Sequence, residues 1–344
     1  LRTFNLRDSS TVVEIDNPIN YRVLPEDGIA LHHVLYHLTP EMSVWHNQFK
    51  MLADQQVTAQ YIFIDGSFDP VIYTEQQLDE LVALAQQFWP NSKILMLSSD
   101  VKHLHTGKEN IIWFPWCFLN LYTESLPRPR KKRIGCLNRR NAPHRVWLMH
   151  NLLTQNLIDP DRDVYSISFM SCLGASDPSN VAAWINQPPW FNDLIYHHQP
   201  AAIATHPDDF ANDYTTNHPA WSTAIAVITE TEPGPFTMVT EKTLKAIMSR
   251  CCWTSYMGDD GYQTMEHLGF QSRLFDSHAE GYNIVPILDL CRTLDTESAA
   301  MDYYHSRTKQ IEHNFEWFGG AAGSTKKLGP WWVQYEPILR YRLG

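Results

Sequence analysis

The segment with the most chemistry in its spelling is Thr240-Glu241-Lys242-Thr243, placed behind an apolar, β-branched run, Ala224 to Thr229, that ends on Glu230. The order strand, acid, loop, helix puts Lys242 in a first helical turn. Unpaired N–H groups and a partial positive charge there suit a phosphate, and a nearby Lys suits it further. A carboxylate beside it can take two ribose hydroxyls. The same letters also spell an ordinary helix start, with Thr240 as N-cap and Glu241 in the first turn. Spacing alone supports both readings equally.

Two further carboxylates stand where open α/β sheets present their ligands, just past a strand: Asp100 after Lys93 to Ser99, and Asp65 after Tyr61 to Ile64. Each is a candidate general base for an acceptor hydroxyl, and each could merely cap a loop. Asp159-Pro160-Asp161 and Asp161-Arg162-Asp163 have the Asp-x-Asp spelling of a metal-dependent transferase, but lie among turn residues and read as turn chemistry. His103-x-His105 could place two rings on one strand face, and no third ligand follows at a convincing spacing, so no metal site is expected. The six cysteines form no C-x-x-C pair and read as buried free thiols.

The elements that would position these groups follow from periodicity. Tyr61 to Asp65 reads as a buried strand, Thr74 opens a helix with Gln77 completing a capping box, and Lys93 to Leu97 is the next strand, a βαβ unit. Pro127-Arg128-Pro129-Arg130 has the stiffness of a linker. Behind it, Arg133 to Leu137 as strand, Asn138 to Pro143 as loop and His144 to Leu153 as helix begin a second α/β domain. Further strands are expected at Val164 to Phe169, Ala224 to Thr229 and Cys251 to Tyr256, with helices from Glu241 to Met248 and Tyr262 to Leu268. Glu297 to Trp317 reads as a single closing helix, and the aromatic tail through Trp331, Trp332 and Tyr335 should pack back. The domains are therefore read as 1–127, 128–296 and a closing segment 297–344.

With 344 residues, 44% of them apolar, the chain has material for two cores and is not disordered. No apolar run approaches the roughly 20 residues that span a bilayer. A soluble, cytoplasmic protein is expected, although a start at Leu1 without Met fits a processed end. The net charge of -11 argues against a surface that is basic all over. Against that total, Arg128 to Arg145 gathers eight cations and no carboxylate, which calls for a polyanion or phosphate partner or a solvated linker.

The run from Ile228 through Glu230, Met238 through Lys242 and Trp253 through Gly258 resembles the donor-domain signature of the α1,3-fucosyltransferase family. The Thr-Glu-Lys triplet and its flanking elements match. Thr231 stands where that family has Asn, and its usual Pro after the helix is absent. Leu268-Gly269-Phe270 and Phe275-Asp276 are similar to an ending found in bacterial and viral sugar-transfer proteins. The donor domain of the family begins with a strand, a loop and an Arg that opens a helix, and Cys136-Leu137-Asn138 followed by His144-Arg145-Val146 resembles that too.

The resemblance implies a GT-B-like α/β architecture, with two Rossmann-like domains facing across a cleft. By it Arg145 and Lys242 contact the donor pyrophosphate and Glu241 the ribose. Asn138, Arg139, Arg140, Glu230 and Thr240 complete the donor-binding set, and the base, Asp100 or Asp65, comes from the N-terminal domain. The activity implied is inverting, metal-independent transfer of a sugar from a GDP- or UDP-linked donor to a hydroxyl, with a glycan as acceptor and no bound cofactor. Two alternatives stand beside it: transfer to hydroxymethylated bases in DNA through the 128–145 basic run, as in a virus-like relative, and a noncatalytic nucleotide-sugar-binding module.

Overall fold

A computed structural model describes residues 1–8, 11–16, 19–33, 42–66, 75–105, 108–120, 129–138, 143–159, 161–167, 219–230, 238–272, 283–319 and 328–344. The fold is mixed α/β, built on two parallel sheets. The chain divides into two compact units: Leu1–Asn120, Phe236–Met238 and Glu336–Gly344 in the first, Leu121–Pro235 and Val239–Tyr335 in the second. The expected linker residues 127 and 128 lie outside the described residues.

Unit 1 carries β1 (Arg2–Asp8), β2 (Thr11–Ile15), β3 (Gly28–His33), β4 (Tyr61–Gly66), β5 (Lys93–Ser98) and β6 (Ile111–Trp113), in the sheet order β2-β1-β3-β4-β5-β6. Only β2 runs antiparallel, as the return of a hairpin. Its helices are α1 (Met42–Asp54), α2 (Glu75–Phe88), the single turn α3 (Lys102–His105) and α4 (Trp116–Asn120). The expected βαβ unit is β4-α2-β5; the capping residue proposed for it, Thr74, lies outside the described residues. Alternate strand residues Phe4, Leu6, Ile29, Leu31, Ile62, Ile64, Ile94 and Met96 share one core with Trp45, Phe49 and Leu52 of α1 and Leu78, Leu81 and Ala85 of α2. That is the period-2 face of a sheet meeting the apolar stripe of two helices. Phe63, Leu95 and Leu97, of the other parity, are buried as well, as expected for central strands of a parallel sheet.

Unit 2 carries β7 (Lys132–Asn138), α5 (Pro143–Thr154), β8 (Val164–Ile167), β9 (Thr223–Thr229), α6 (Glu241–Met248), β10 (Cys252–Tyr256) and α7 (Asp259–His267). There follow α8 (Val285–Thr293), α9 (Glu297–Ser306), α10 (Thr308–Phe318) and α11 (Trp331–Leu343), the last shared by the two units. The strands are all parallel in the order β10-β9-β7-β8. From β7 the chain steps outward to β8, then returns to the opposite side of β7 for β9 and β10. The winding therefore reverses between β7 and β9, and in open α/β sheets the carboxyl ends flanking such a reversal frame the ligand crevice.

One element differs from expectation, and the aromatic tail packs back as expected, with Trp331 and Tyr335 buried. The closing helix is two helices: it breaks at Arg307 (φ -102, ψ 3), after which Thr308 starts α10 afresh. The aromatic tail is the helix α11, with Pro337 inside it, and Lys93 Nζ closes its end by donating to the carbonyls of Arg342 at 3.0 Å and Leu343 at 2.8 Å.

Candidate functional site

The residues at the β7/β9 reversal are organised by Glu230, which follows the last residue of β9 and is fully buried. One carboxylate oxygen accepts from the Thr240 backbone N–H at 3.1 Å and from the Thr243 hydroxyl, and the other accepts from the Thr240 hydroxyl. Burial acts to raise the Glu230 carboxyl and wins; Lys242 and the two threonine hydroxyls act against it, while Glu241 adds to it. Its backbone carbonyl accepts from Nη2 of Arg145 at 3.1 Å and from Nε2 of His144 at 3.0 Å. One residue thus ties the N-termini of α5 and α6 together at the end of the sheet.

At the head of α6, Thr240 is the N-cap, its backbone extended (φ -99, ψ 179), and its hydroxyl accepts from the Lys242 backbone N–H. That hydroxyl also accepts from Lys242 Nζ at 3.2 Å, and Nζ lies 3.5 Å from a Glu241 carboxylate oxygen. A hydroxyl gives one hydrogen and accepts two, so Thr240 is saturated: it gives to Glu230 and accepts twice from Lys242. The ammonium is thereby held at the helix N-terminus, and the Lys242 side chain remains a quarter exposed. Burial would raise the Glu241 carboxyl, but Lys242 and Lys245 beside it, with the helix N–H groups, hold it below its usual range.

In the first turn of α5, Arg145 is buried at 2% exposure. His144, equally enclosed, packs edge-on against Tyr256 with centroids 5.7 Å apart. Burial, reinforced by the Arg145 and Lys242 charges, pushes its imidazole down to about 3, so it is neutral and serves as a fixed donor. Asn138, the last residue of β7, is wholly buried; its amide donates to Cys136 Sγ at 3.4 Å and its carbonyl accepts from the Thr229 hydroxyl, stitching the ends of β7 and β9. Glu230, Thr240, Lys242, Glu241, Arg145 and Asn138 are thus gathered at the ends of neighbouring elements. Arg139 and Arg140 lie outside the described residues. Sequence reading missed His144, whose only signal is its place beside Arg145 at a helix start.

Much of the basic run turns inward. Arg130 donates to the carbonyls of Trp221 at 2.8 Å, Thr223 at 3.3 Å and Arg250 at 2.7 Å, and also to that of Ser249. Arg133 is 1% exposed, pairs with Asp163 at 2.7 Å and caps the carbonyls of Leu294 and Leu157. Arg145 is buried as well. Lys131 is exposed, and Lys132 reaches the Asp161 carbonyl. The Asp-x-Asp segment is a turn: Asp159 accepts from the Asp161 N–H at 2.8 Å, and Asp163 accepts from the N–H groups of Asp159 and Ile134.

The two candidate bases sit in unit 1, at carboxyl ends of β5 and β4. Asp100 is buried; one oxygen accepts the Lys102 N–H at 3.1 Å and the other pairs with Lys102 Nζ at 3.2 Å, the pattern of a cap on α3. His103 therefore lies on a helical turn and not on a strand; its Nδ1 meets Ser98 Oγ at 2.7 Å. Asp65 is buried too. It accepts from the Tyr21 hydroxyl and, at 3.0 Å, from Nδ1 of His32. Burial and the facing Asp65 carboxylate push the Tyr21 phenol well above its ordinary value. Among the described residues, no group of three or more His, Cys, Asp or Glu could hold a metal ion, and no helix is long and apolar enough to cross a membrane.

No family model matches the chain. No curated protein matches it. Among solved structures, it is similar to the crystal structure of the DNA-modifying enzyme β-glucosyltransferase, described with and without its substrate uridine diphosphoglucose: 11% identity over 84% of this chain and 79% of that one, with a TM-score of 0.34.

Proposed function

We propose that this protein is a glycosyltransferase that binds a nucleoside-diphosphate sugar in unit 2 and transfers the sugar to a hydroxyl. The observation that carries the reading is the convergence of two helix N-termini on Glu230, one bearing Arg145 and the other Lys242, at the carboxyl-end reversal between β7 and β9. N–H groups, helix dipoles and two cations at the carboxyl end of one sheet suit a diphosphate, whose charge grows as it leaves, and they neutralise it without a metal ion. Glu241, ionised and partly exposed beside Lys242, is assigned the ribose hydroxyls. Asn138, Thr240 and Glu230 hold the frame, and Arg139 and Arg140 are assigned to the set from the sequence alone. Displacement by the acceptor oxygen inverts the anomeric centre. The resemblance of Met238 to Lys242 to the α1,3-fucosyltransferase signature supports the same assignment.

The test is a thermal-shift screen with GDP-, UDP-, CMP- and dTDP-sugars, followed by mass analysis of products. A GDP- or UDP-sugar is expected to raise the melting temperature, and Lys242→Ala to abolish the rise without unfolding the protein. A rise unchanged in Lys242→Ala removes that residue from the site. Binding with no turnover makes the chain a nucleotide-sugar-binding module. For the acceptor, salt-insensitive binding of an oligosaccharide is expected of a glycan-directed enzyme, and salt-dependent binding of DNA assigns hydroxymethylated bases instead.

A further inference from the structure

The Glu230 carboxylate takes three hydrogens and is closed to solvent. One oxygen accepts the Thr240 backbone N–H at 3.1 Å and the Thr243 hydroxyl; the other accepts the Thr240 hydroxyl. All three partners act as donors, so the arrangement is built for a carboxylate and not for a carboxylic acid. Thr240 passes this demand on. With its hydrogen given to Glu230, it turns both lone pairs to Lys242, accepting the backbone N–H at 3.3 Å and Nζ at 3.2 Å.

A proton on Glu230 breaks this order. The new O–H needs an acceptor, and Thr240 Oγ, which faces it, can accept only by giving up one of its bonds from Lys242. Without that exchange the buried O–H would carry the cost of an unmade hydrogen bond. The Lys242 N–H is fixed by the helix, whereas its ammonium rides on a flexible four-carbon stem, so the ammonium is the partner that yields. It falls back on Glu241, whose carboxylate oxygen lies 3.5 Å away. That pairing occupies both the cation assigned to the diphosphate and the carboxylate assigned to the ribose.

Lys242 and Glu241 face Glu230 from α6, with Lys245 beside Glu241, and Arg145 and His144 meet its carbonyl from α5. Against burial, Lys242 and Lys245 hold the Glu241 carboxyl below its usual range, and burial sends the His144 imidazole down to about 3. Arg145 stays charged throughout. Burial pushes Glu230 the other way, above the ordinary 4.5 of a glutamate, so it titrates at higher pH than Glu241 and His144 do.

We infer that Glu230 is a proton-sensitive positioning residue: as a carboxylate it holds Lys242 at the head of α6 through Thr240, and uptake of one proton releases the ammonium and weakens the grip on an anionic donor. This rests on the donor-site reading above. The sign separates it from acid unfolding. A carboxyl that binds its proton more tightly in the folded chain adds stability as the pH falls from its folded value toward 4.5, so donor affinity and the Glu230 share of stability move in opposite directions.

The experiment measures dissociation constants of UDP-glucose and GDP-fucose with the full chain from about pH 5 to about pH 8, with a donor-free melting curve at each pH. Both donors are diphosphate diesters and lack the terminal phosphate proton that titrates at about 6. The wild type is expected to bind its donor about 10-fold more weakly at the acid end while still folded. Glu230→Gln keeps the shape of the protonated acid: its amide oxygen can accept from Thr240 and Thr243, and its NH2 replaces the oxygen that takes the Thr240 hydrogen. It is expected to bind weakly across the whole range and to lose the pH dependence, and so is Thr240→Ala, in which the link to Lys242 is cut. Wild-type affinity that does not change with pH, an acid loss that persists in Glu230→Gln, or binding by Glu230→Gln as tight as the wild type's at the alkaline end would each overturn the inference. Selective 13C labelling of glutamate and lysine reads the same switch in the donor-free wild type. The Lys242 Cε signal is expected to move along the Glu230 carboxyl titration, and a Lys242 signal that stays put would overturn the coupling. If neither donor binds the wild type at the alkaline end, the donor-site reading fails, and the NMR titration still decides whether Glu230 governs Lys242.

Discussion

Glu230 shows how one buried acid can order the residues around it. Its carboxylate fixes Thr240, Thr240 fixes the Lys242 ammonium, and its carbonyl fixes Arg145 and His144. Thr240→Ala removes the helix cap and two hydrogen bonds at once. It is expected to cost about 1–2 kcal/mol in chemical denaturation and to weaken donor binding, while Thr240→Ser recovers most of both. His144 gives a pH signature. Its folded-state value is about 3 against 6.5 unfolded, so between those values the unfolded chain binds the extra proton. Stability is therefore insensitive to this residue above pH 6.5 and falls as the pH drops below it, by at most about 1.4 kcal/mol per pH unit. His144→Gln should flatten that part of the stability profile; a profile as steep as the wild type's would refute the assignment.

At the level of elements, the strand-helix alternation was legible because buried parallel strands are short continuous apolar runs and their crossover helices have clean stripes. Tyr61 to Asp65, Lys93 to Leu97, Arg133 to Leu137 and Ala224 to Thr229 all lie within observed strands. The break at Arg307 was hidden because no Gly or Pro marks it. The inward turn of the basic run was hidden for a different reason: a guanidinium carries five donors, and whether these meet phosphate or orphan helix carbonyls is decided by tertiary contacts. His32 was read only as one of many histidines, since its pairing with Asp65 depends on strand register. Two predictions belong here. Arg133→Met strands the buried Asp163 carboxylate and is expected to cost about 3–5 kcal/mol, measured by denaturation. Gly269, just past α7, has φ +89, and an added Cβ would lie 2.6 Å from the Trp317 ring, so Gly269→Ala should destabilise by at least about 1–2 kcal/mol. A loss below half a kcal/mol in either case would contradict the packing described.

At the scale of the whole molecule, the two units carry different side-chain clusters at their strand ends. Unit 2 has Arg145 and Lys242 at helix starts beside its β7/β9 reversal, and in unit 1 the parallel strands β1, β3, β4, β5 and β6 follow one another in chain order, with His32 and Asp65 paired at the carboxyl ends of β3 and β4. For a chain of net charge -11, the proposed anionic donor requires a local positive field, and the helix starts of α5 and α6 are the proposed source. Hydrogen exchange should register this: a bound donor is expected to slow exchange at residues 143–147 and 240–244 and to leave β1 and β2 unchanged. The most direct measurement of the central claim is the melting temperature with and without GDP- and UDP-sugars, in the wild type and in Lys242→Ala. The account predicts that at about a hundredfold excess over Kd the donor adds about 2.7 kcal/mol, a rise of several degrees, in the wild type and none in the variant. Failure of every nucleotide sugar to raise the wild-type melting temperature at millimolar concentration would contradict it.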